Sequence, residues 1–183
     1  MKFGIRILVS FFIFIFCVCA HFLSVKIGFN VSGSMPTGIY FMTGKLNMNF
    51  HSGDAISFCP PYENMNVYAS RKYISESKYG ICYGKYSPFI KKIIAKKGDE
   101  IQVKNNFVYL NGELIHNSFI YENDDDGRTL SHLKNGFTKI LSENEYFVFS
   151  NLVKHSLDSR YVGIVHKEDI LSKVYLIYNY GTK

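Results

Sequence analysis

No internal repeat is visible in these 183 residues, which excludes a repeat array. Tryptophan is absent, yet 16 Phe and 14 Tyr are present, a bias toward β-structure. Nor is there a cluster of Lys and Arg interleaved with stacking aromatics, so the formal charge of +6 does not make a nucleic-acid surface. Three basic residues, Lys2, Arg6 and Lys26, flank one hydrophobic run; without them 18 basic residues face 15 acidic ones. Charged residues reach only 20% against 47% hydrophobic ones, which excludes a disordered or low-complexity chain. Beyond the first run, few stretches have a helical periodicity long enough to specify a helix. What remains is one β-rich domain with a proper core, plus an appendage.

The appendage is residues 7–25 (ILVSFFIFIFCVCAHFLSV), almost wholly apolar. At a rise of about 1.5 Å per residue the run covers about 28 Å, close to the hydrocarbon thickness of a bilayer. Positive charge is denser before the run than after it, which places the N-terminus in the cytoplasm. Residues 1–26 are therefore expected to form a single-pass membrane anchor and residues 27–183 an extracytoplasmic domain. A cleaved signal peptide is the rival, because Cys17-Val18-Cys19-Ala20 resembles a small-residue cleavage site. The run continues past Ala20, however, and is longer than a usual signal core. His21 falls near the outer end, where a neutral imidazole reaches the interface. Cys17 and Cys19 read as inert packing residues of the span. Cys59 and Cys82 fall in an oxidising compartment on this topology, either as a disulfide or as two separate buried thiols.

Short runs rich in Val, Ile, Phe and Tyr then recur between turn residues. Residues 38–42, 55–58, 90–95, 101–103, 107–110, 146–149, 161–165 and 174–178 read as strands. Asn111-Gly112 between two such runs signals a type I′ hairpin. Residues 62–88, polar and Tyr-rich, and 117–136 look like insertions rather than framework. The latter holds the acidic run Asp124-Asp125-Asp126, which lacks the ligand periodicity of a cation site and reads as a solvated loop; no metal is expected.

Three segments carry chemistry. In Val31-Ser32-Gly33-Ser34-Met35-Pro36, Gly33 permits unusual backbone angles and Pro36 fixes the chain, so the turn can present a hydroxyl beside a backbone N–H. In Phe89-Ile90-Lys91-Lys92-Ile93-Ile94, strand alternation puts one lysine inward, where lost hydration lowers its pKa toward that of a usable base. The bland alternative is an edge strand guarded by lysines. In Ser156-Leu157-Asp158-Ser159-Arg160, the Asp and Arg two apart share one strand face and can pair, and Ser156 can hydrogen-bond a neutral lysine.

In this order, after an N-terminal anchor, the three segments resemble the type I signal peptidases, Ser/Lys proteases with a β-fold. The resemblance spans most of the chain. It implies Ser34 as nucleophile, Lys91 as general base, Ser32 and the Ser34 N–H as oxyanion hole, Ser156 as the residue that orients the lysine, and Asp158 and Arg160 as a supporting pair. Ser-Met-Pro-Thr-Gly-Ile-Tyr, Phe58-Cys59-Pro60-Pro61 and Cys82 are most similar to the TraF branch of conjugative transfer systems. That branch implies a Cys59–Cys82 disulfide, no cofactor, a pilin precursor as substrate and placement in a bacterial inner membrane. Two departures stand out: Lys96-Lys97 where the family has Leu-Pro, and Ser150-Asn151-Leu152 where general signal peptidases have Gly-Asp-Asn. A general type I signal peptidase and a catalytically idle β-module of a secretion apparatus are the competing readings.

Overall fold

The computed structural model describes residues 2–22, 26–44, 49–61, 65–74, 77–78 and 80–181. Helix α1 (Lys2–Phe22) opens the chain, and α2 (Met65–Ser70) and α3 (Ser159–Val162) are short. The strands are β1 (Lys26–Asn30), β2 (Gly38–Met42), β3 (Ala55–Phe58), β4 (Phe89–Ala95), β5 (Glu100–Lys104), β6 (Phe107–Leu110), β7 (Glu113–Leu114), β8 (Thr138–Ile140), β9 (Glu145–Phe149), β10 (Val165–His166) and β11 (Ile170–Asn179). The fold is mainly β, as the composition implies. A seven-stranded antiparallel sheet has the order β1-β2-β11-β3-β4-β9-β10, and a smaller one the order β7-β6-β5-β8.

The apolar side chains of α1, Phe12 and Phe16 among them, are exposed. Among the described residues no helix is long and apolar enough to cross a membrane. The side chains described in α1 are those of residues 4–19; that of His21, and residues 23–25 of the apolar run, lie outside the described residues. Cys17 and Cys19 are free, exposed thiols.

Strand β4 alternates as its sequence demands: Lys91, Ile93 and Ala95 are buried and Lys92 is exposed. Its neighbour β9 is buried at all five positions. Tyr146 and Val148 face one hydrophobic core, together with Ile56, Phe58 and Ile93. Phe147 points the other way, into a second core with Ile101, Val103 and Val108. A bulge between Ile93 and Ala95 re-aims Ala95 into that second core, so one strand serves both. The Asn111-Gly112 turn has both residues at positive φ (51° and 84°), as a type I′ hairpin needs.

Several expectations are corrected. Residues 161–164 are not a strand. The Asp158 carboxylate accepts a hydrogen bond from the Arg160 N–H and caps α3, and strand geometry resumes only at Val165. Asp158 and Arg160 therefore do not share a strand face; they meet across a helix cap. Lys26, which flanks the apolar run, also begins β1. The two stretches read as insertions are packed on the domain: Met65 and Tyr68 enter the first core, and Ile120 and Leu130 the second. Cys59 and Cys82 form a disulfide with Cα atoms 5.4 Å apart, tying the first stretch to the end of β3.

Candidate active site

Residues 31–37 join β1 to β2 as a compact turn, and Asn30 holds it from inside. The Asn30 Nδ2 donates to the carbonyl oxygens of Ser32, Met35 and Pro36, each at 3.0 Å. Its Oδ1 accepts from the Ser32 N–H at 3.2 Å and from the Ser32 hydroxyl at 2.8 Å. Tyr40 adds a hydroxyl donated to the Pro36 carbonyl at 2.8 Å. Gly33 is not in the left-handed region. Its need is spatial, since a Cβ there would lie 3.3 Å from the Val153 side chain. Gly38 is required more strictly, because a Cβ would collide with the Tyr178 carbonyl where β11 crosses β2.

The turn delivers Ser34, 8% exposed, to the buried side of β4. Lys91 Nζ lies 2.7 Å from Ser34 Oγ, and Ser32 Oγ lies 3.2 Å from the same atom. Lys91 is 5% exposed, and burial pulls its pKa down from 10.5 to about 8. Asp158 opposes that shift and Arg160 adds to it. An amine so placed is about half neutral near pH 8. It can then accept a proton from the hydroxyl it touches.

Behind the pair sits a buried charge network. Arg160, 1% exposed, makes a two-point contact with Asp158, Nε to Oδ1 and Nη2 to Oδ2, each 2.9 Å. It also donates to the Phe119 and Ser150 carbonyls, and lies 4.7 Å from the Phe149 ring centroid. Asp158 accepts in addition from the Ser150 N–H. The Ser150 hydroxyl donates to the Ser34 carbonyl, so the network reaches the turn directly. Ser156 is 1% exposed, but its hydroxyl has no hydrogen-bond partner; it does not bond Lys91 here.

A cleft of about 810 Å³ runs past these residues, lined by Ser32, Ser34, Lys91 and Ser156 among others. Its far wall comes from the two stretches read as insertions. Tyr73 donates to Asp124, Arg71 donates to the Thr129 carbonyl at 2.7 Å, and Arg128 pairs with Asp124 and Asp126. The acidic run stays largely in solvent, with the Asp125 and Asp126 side chains 78% and 70% exposed. At the edge of the cleft it pairs with Arg128, Lys154 and His155. Among the described residues no group of three or more His, Cys, Asp or Glu side chains is arranged to hold a metal ion.

Residues 1–179 match the family described as "Signal peptidase, peptidase S26". The chain belongs to that family. It is 30% identical over 145 residues to the plasmid transfer protein TraF of Escherichia coli, covering 79% of this chain and 78% of that one. A conjugal transfer protein TraF of Agrobacterium fabrum is 27% identical, with coverage of 78% and 76%. Signal peptidase I of Bacillus amyloliquefaciens is 32% identical over 117 residues, or 60% of each chain. A crystal structure of a signal peptidase I from Enterococcus faecalis aligns with a TM-score of 0.38 at 17% identity, over 69% of this chain and 97% of that one. Signal peptidase family membership makes this a peptidase of exported precursors.

Two residues that hold the Ser34 turn went unread in the sequence. Asn30 has a weak local signal, an Asn two residues before a Ser in a turn. Ser150 has none, because its partners Ser34 and Asp158 meet it only through the tertiary fold.

Proposed function

We propose that this chain is a membrane-anchored Ser/Lys endopeptidase that matures a pilin precursor in a conjugative transfer system. The observation that carries the proposal is the 2.7 Å contact between Ser34 Oγ and a buried Lys91 Nζ whose pKa is drawn down to about 8. The anchor is residues 1–26 and the peptidase domain residues 27–183, outside the cytoplasmic membrane of a bacterium. The length of the apolar run and its flanking charge support that placement. The TraF relatives support the substrate.

In the reaction Ser34 Oγ attacks the scissile carbonyl while neutral Lys91 takes its proton. The Ser34 N–H and the Ser32 hydroxyl stabilise the oxyanion, a donor contributing about 3 kcal/mol. Ser32 now donates to Asn30 Oδ1, so its hydroxyl turns from Asn30 to the oxyanion as charge develops. Lys91 then protonates the leaving amine, and a water releases the acyl-enzyme. Asp158 and Arg160 hold the wall beside Lys91, and the Ser156 hydroxyl is available to orient the amine. No cofactor takes part.

The test is co-expression of a pilin precursor with the wild type, Ser34→Ala and Lys91→Ala. Processing by the wild type alone supports the proposal. Equal processing by all three removes both residues from catalysis. If secretory precursors are cut and pilin is not, the chain is a general signal peptidase.

A further inference from the structure

Ser150 moves no proton in the chemistry above, yet each of its polar groups is engaged between the buried ion pair and Ser34. It directly follows β9, the strand that pairs with β4 through Phe149 and Lys92. The Ser150 N–H donates to Asp158 Oδ2 at 3.2 Å, and the Ser150 carbonyl accepts from Arg160 Nη2 at 3.3 Å. The hydroxyl accepts from the Leu152 N–H at 3.3 Å and gives its own proton to the Ser34 carbonyl. Ser150 is 5% exposed, and in such low-dielectric surroundings these bonds are stronger than in water.

Asn30 holds the carbonyls of Ser32, Met35 and Pro36 but not that of Ser34. Ser150 supplies the missing hold. Along the sheet, Ser34 leads into β2 and Lys91 lies on β4, with β11 and β3 between them. The 2.7 Å contact of Ser34 with Lys91 cannot keep the two in place during the reaction, because Lys91 must take that proton and pass it on. The Ser150 bond is a tie the chemistry does not use. It runs from Ser34 to the strand beside Lys91 without crossing β11 or β3. A misplacement of about 1 Å between reacting groups costs on the order of 10²-fold in rate, so such a tie matters. On Lys91 itself Asp158 and Arg160 pull in opposite directions, whereas both grip the Ser150 backbone.

On the peptidase reading above, we propose that Ser150 is a positioning residue through which the Asp158–Arg160 pair holds Ser34 in line with Lys91. The pair thus serves the reaction by placing the hydroxyl that attacks, while burial sets the base.

The test is steady-state cleavage by the full chain in detergent, read from about pH 6 to about pH 10. The substrate is a fluorogenic peptide spanning the processing site of a pilin precursor or, where that is not cut, of a secretory precursor. Ser150→Ala is expected to lower kcat at least about tenfold, with KM within about twofold of the wild type. The midpoint of its pH profile should stay at about 8, because burial is the main cause of the Lys91 shift. Ser150→Thr keeps the hydroxyl and is expected to bring kcat back to within about threefold of the wild type. An Ala variant as fast as the wild type overturns the inference. So does a loss accompanied by a midpoint that climbs toward 10.5, the mark of a loosened core that lets water reach Lys91. A Thr variant as slow as the Ala variant also counts against it, since the hydroxyl is then not what matters. A wild type that cuts neither peptide sinks the peptidase reading, and the inference falls with it.

Discussion

Replacing Lys91 by Met should abolish processing and, at the same time, stabilise the protein in a pH-dependent way. Lys91 titrates at about 8 when folded against 10.5 ordinarily. The unfolded chain thus binds more protons between those values, so stability rises with pH across the window and is lowest below it. The gap corresponds to about 3 kcal/mol of stability forgone below about pH 8. Met removes that cost with a side chain of similar length. It also removes the Lys91–Ser34 hydrogen bond, a loss of about 1 kcal/mol. The variant should therefore be more stable by about 2 kcal/mol near pH 6.5, and about equal to the wild type near pH 9.5. Burial raises the pKa of Tyr40, Tyr146 and Tyr161, and Tyr68 stands at about 12. These tyrosines are common to both proteins and cancel in the difference. Urea unfolding of both full chains in mild detergent at the two pH values is the assay. A variant less stable than the wild type near pH 6.5, or a difference that does not change with pH, refutes the reasoning. In the wild type the same titration should appear as kcat/KM rising with pH and levelling above about 8.

Asp158→Ala leaves the buried Arg160 guanidinium without its partner, and unfolding midpoints should report a loss of about 3–5 kcal/mol. A loss below about 1 kcal/mol would show that the pair is solvated. The double variant Cys59→Ser, Cys82→Ser opens a loop of 23 residue steps and should cost about 3 kcal/mol, with a melting temperature that matches the reduced wild type. Asn30→Ala removes the amide group that donates to the Ser32, Met35 and Pro36 carbonyls of the Ser34 turn. It should lower kcat at least about tenfold with KM little changed, and unchanged circular dichroism would localise the effect to the turn.

Strand alternation was enough to say that one of Lys91 and Lys92 points inward, because the side-chain period of a strand is local. That it is Lys91, and that Ser34 lies within hydrogen-bonding distance, depends on β2 and β4 being placed in one sheet. No single segment carries that information; only the ordered resemblance of three segments pointed to it. Residues 159–162 misled because Tyr161-Val162 suits a strand, whereas the local decision belongs to the Asp158 cap, and four residues are too few to show a helical period. Strand β1 was hidden by Gly28 and by its proximity to the apolar run. The contacts of the acidic run were out of reach for a different reason. Its partners, Tyr73, Lys154 and His155, are brought to it by the tertiary fold, and sequence charge patterning sees only neighbours.

The strand order β1-β2-β11-β3-β4 has a temporal meaning. Ser34 leads into β2 and Lys91 lies on β4, and the strands that bridge them are β11 and β3. Strand β11 ends at Asn179, and the Tyr180 N–H donates to the Thr37 carbonyl at the very end of the Ser34 turn. A ribosome that has released Ser34 and Lys91 has still not supplied the strand that sets them side by side. A chain cut before β11 holds both residues and lacks the strand that joins β2 to β3. The order of the sheet thus makes the Ser34–Lys91 contact wait on a strand that is made long after either residue.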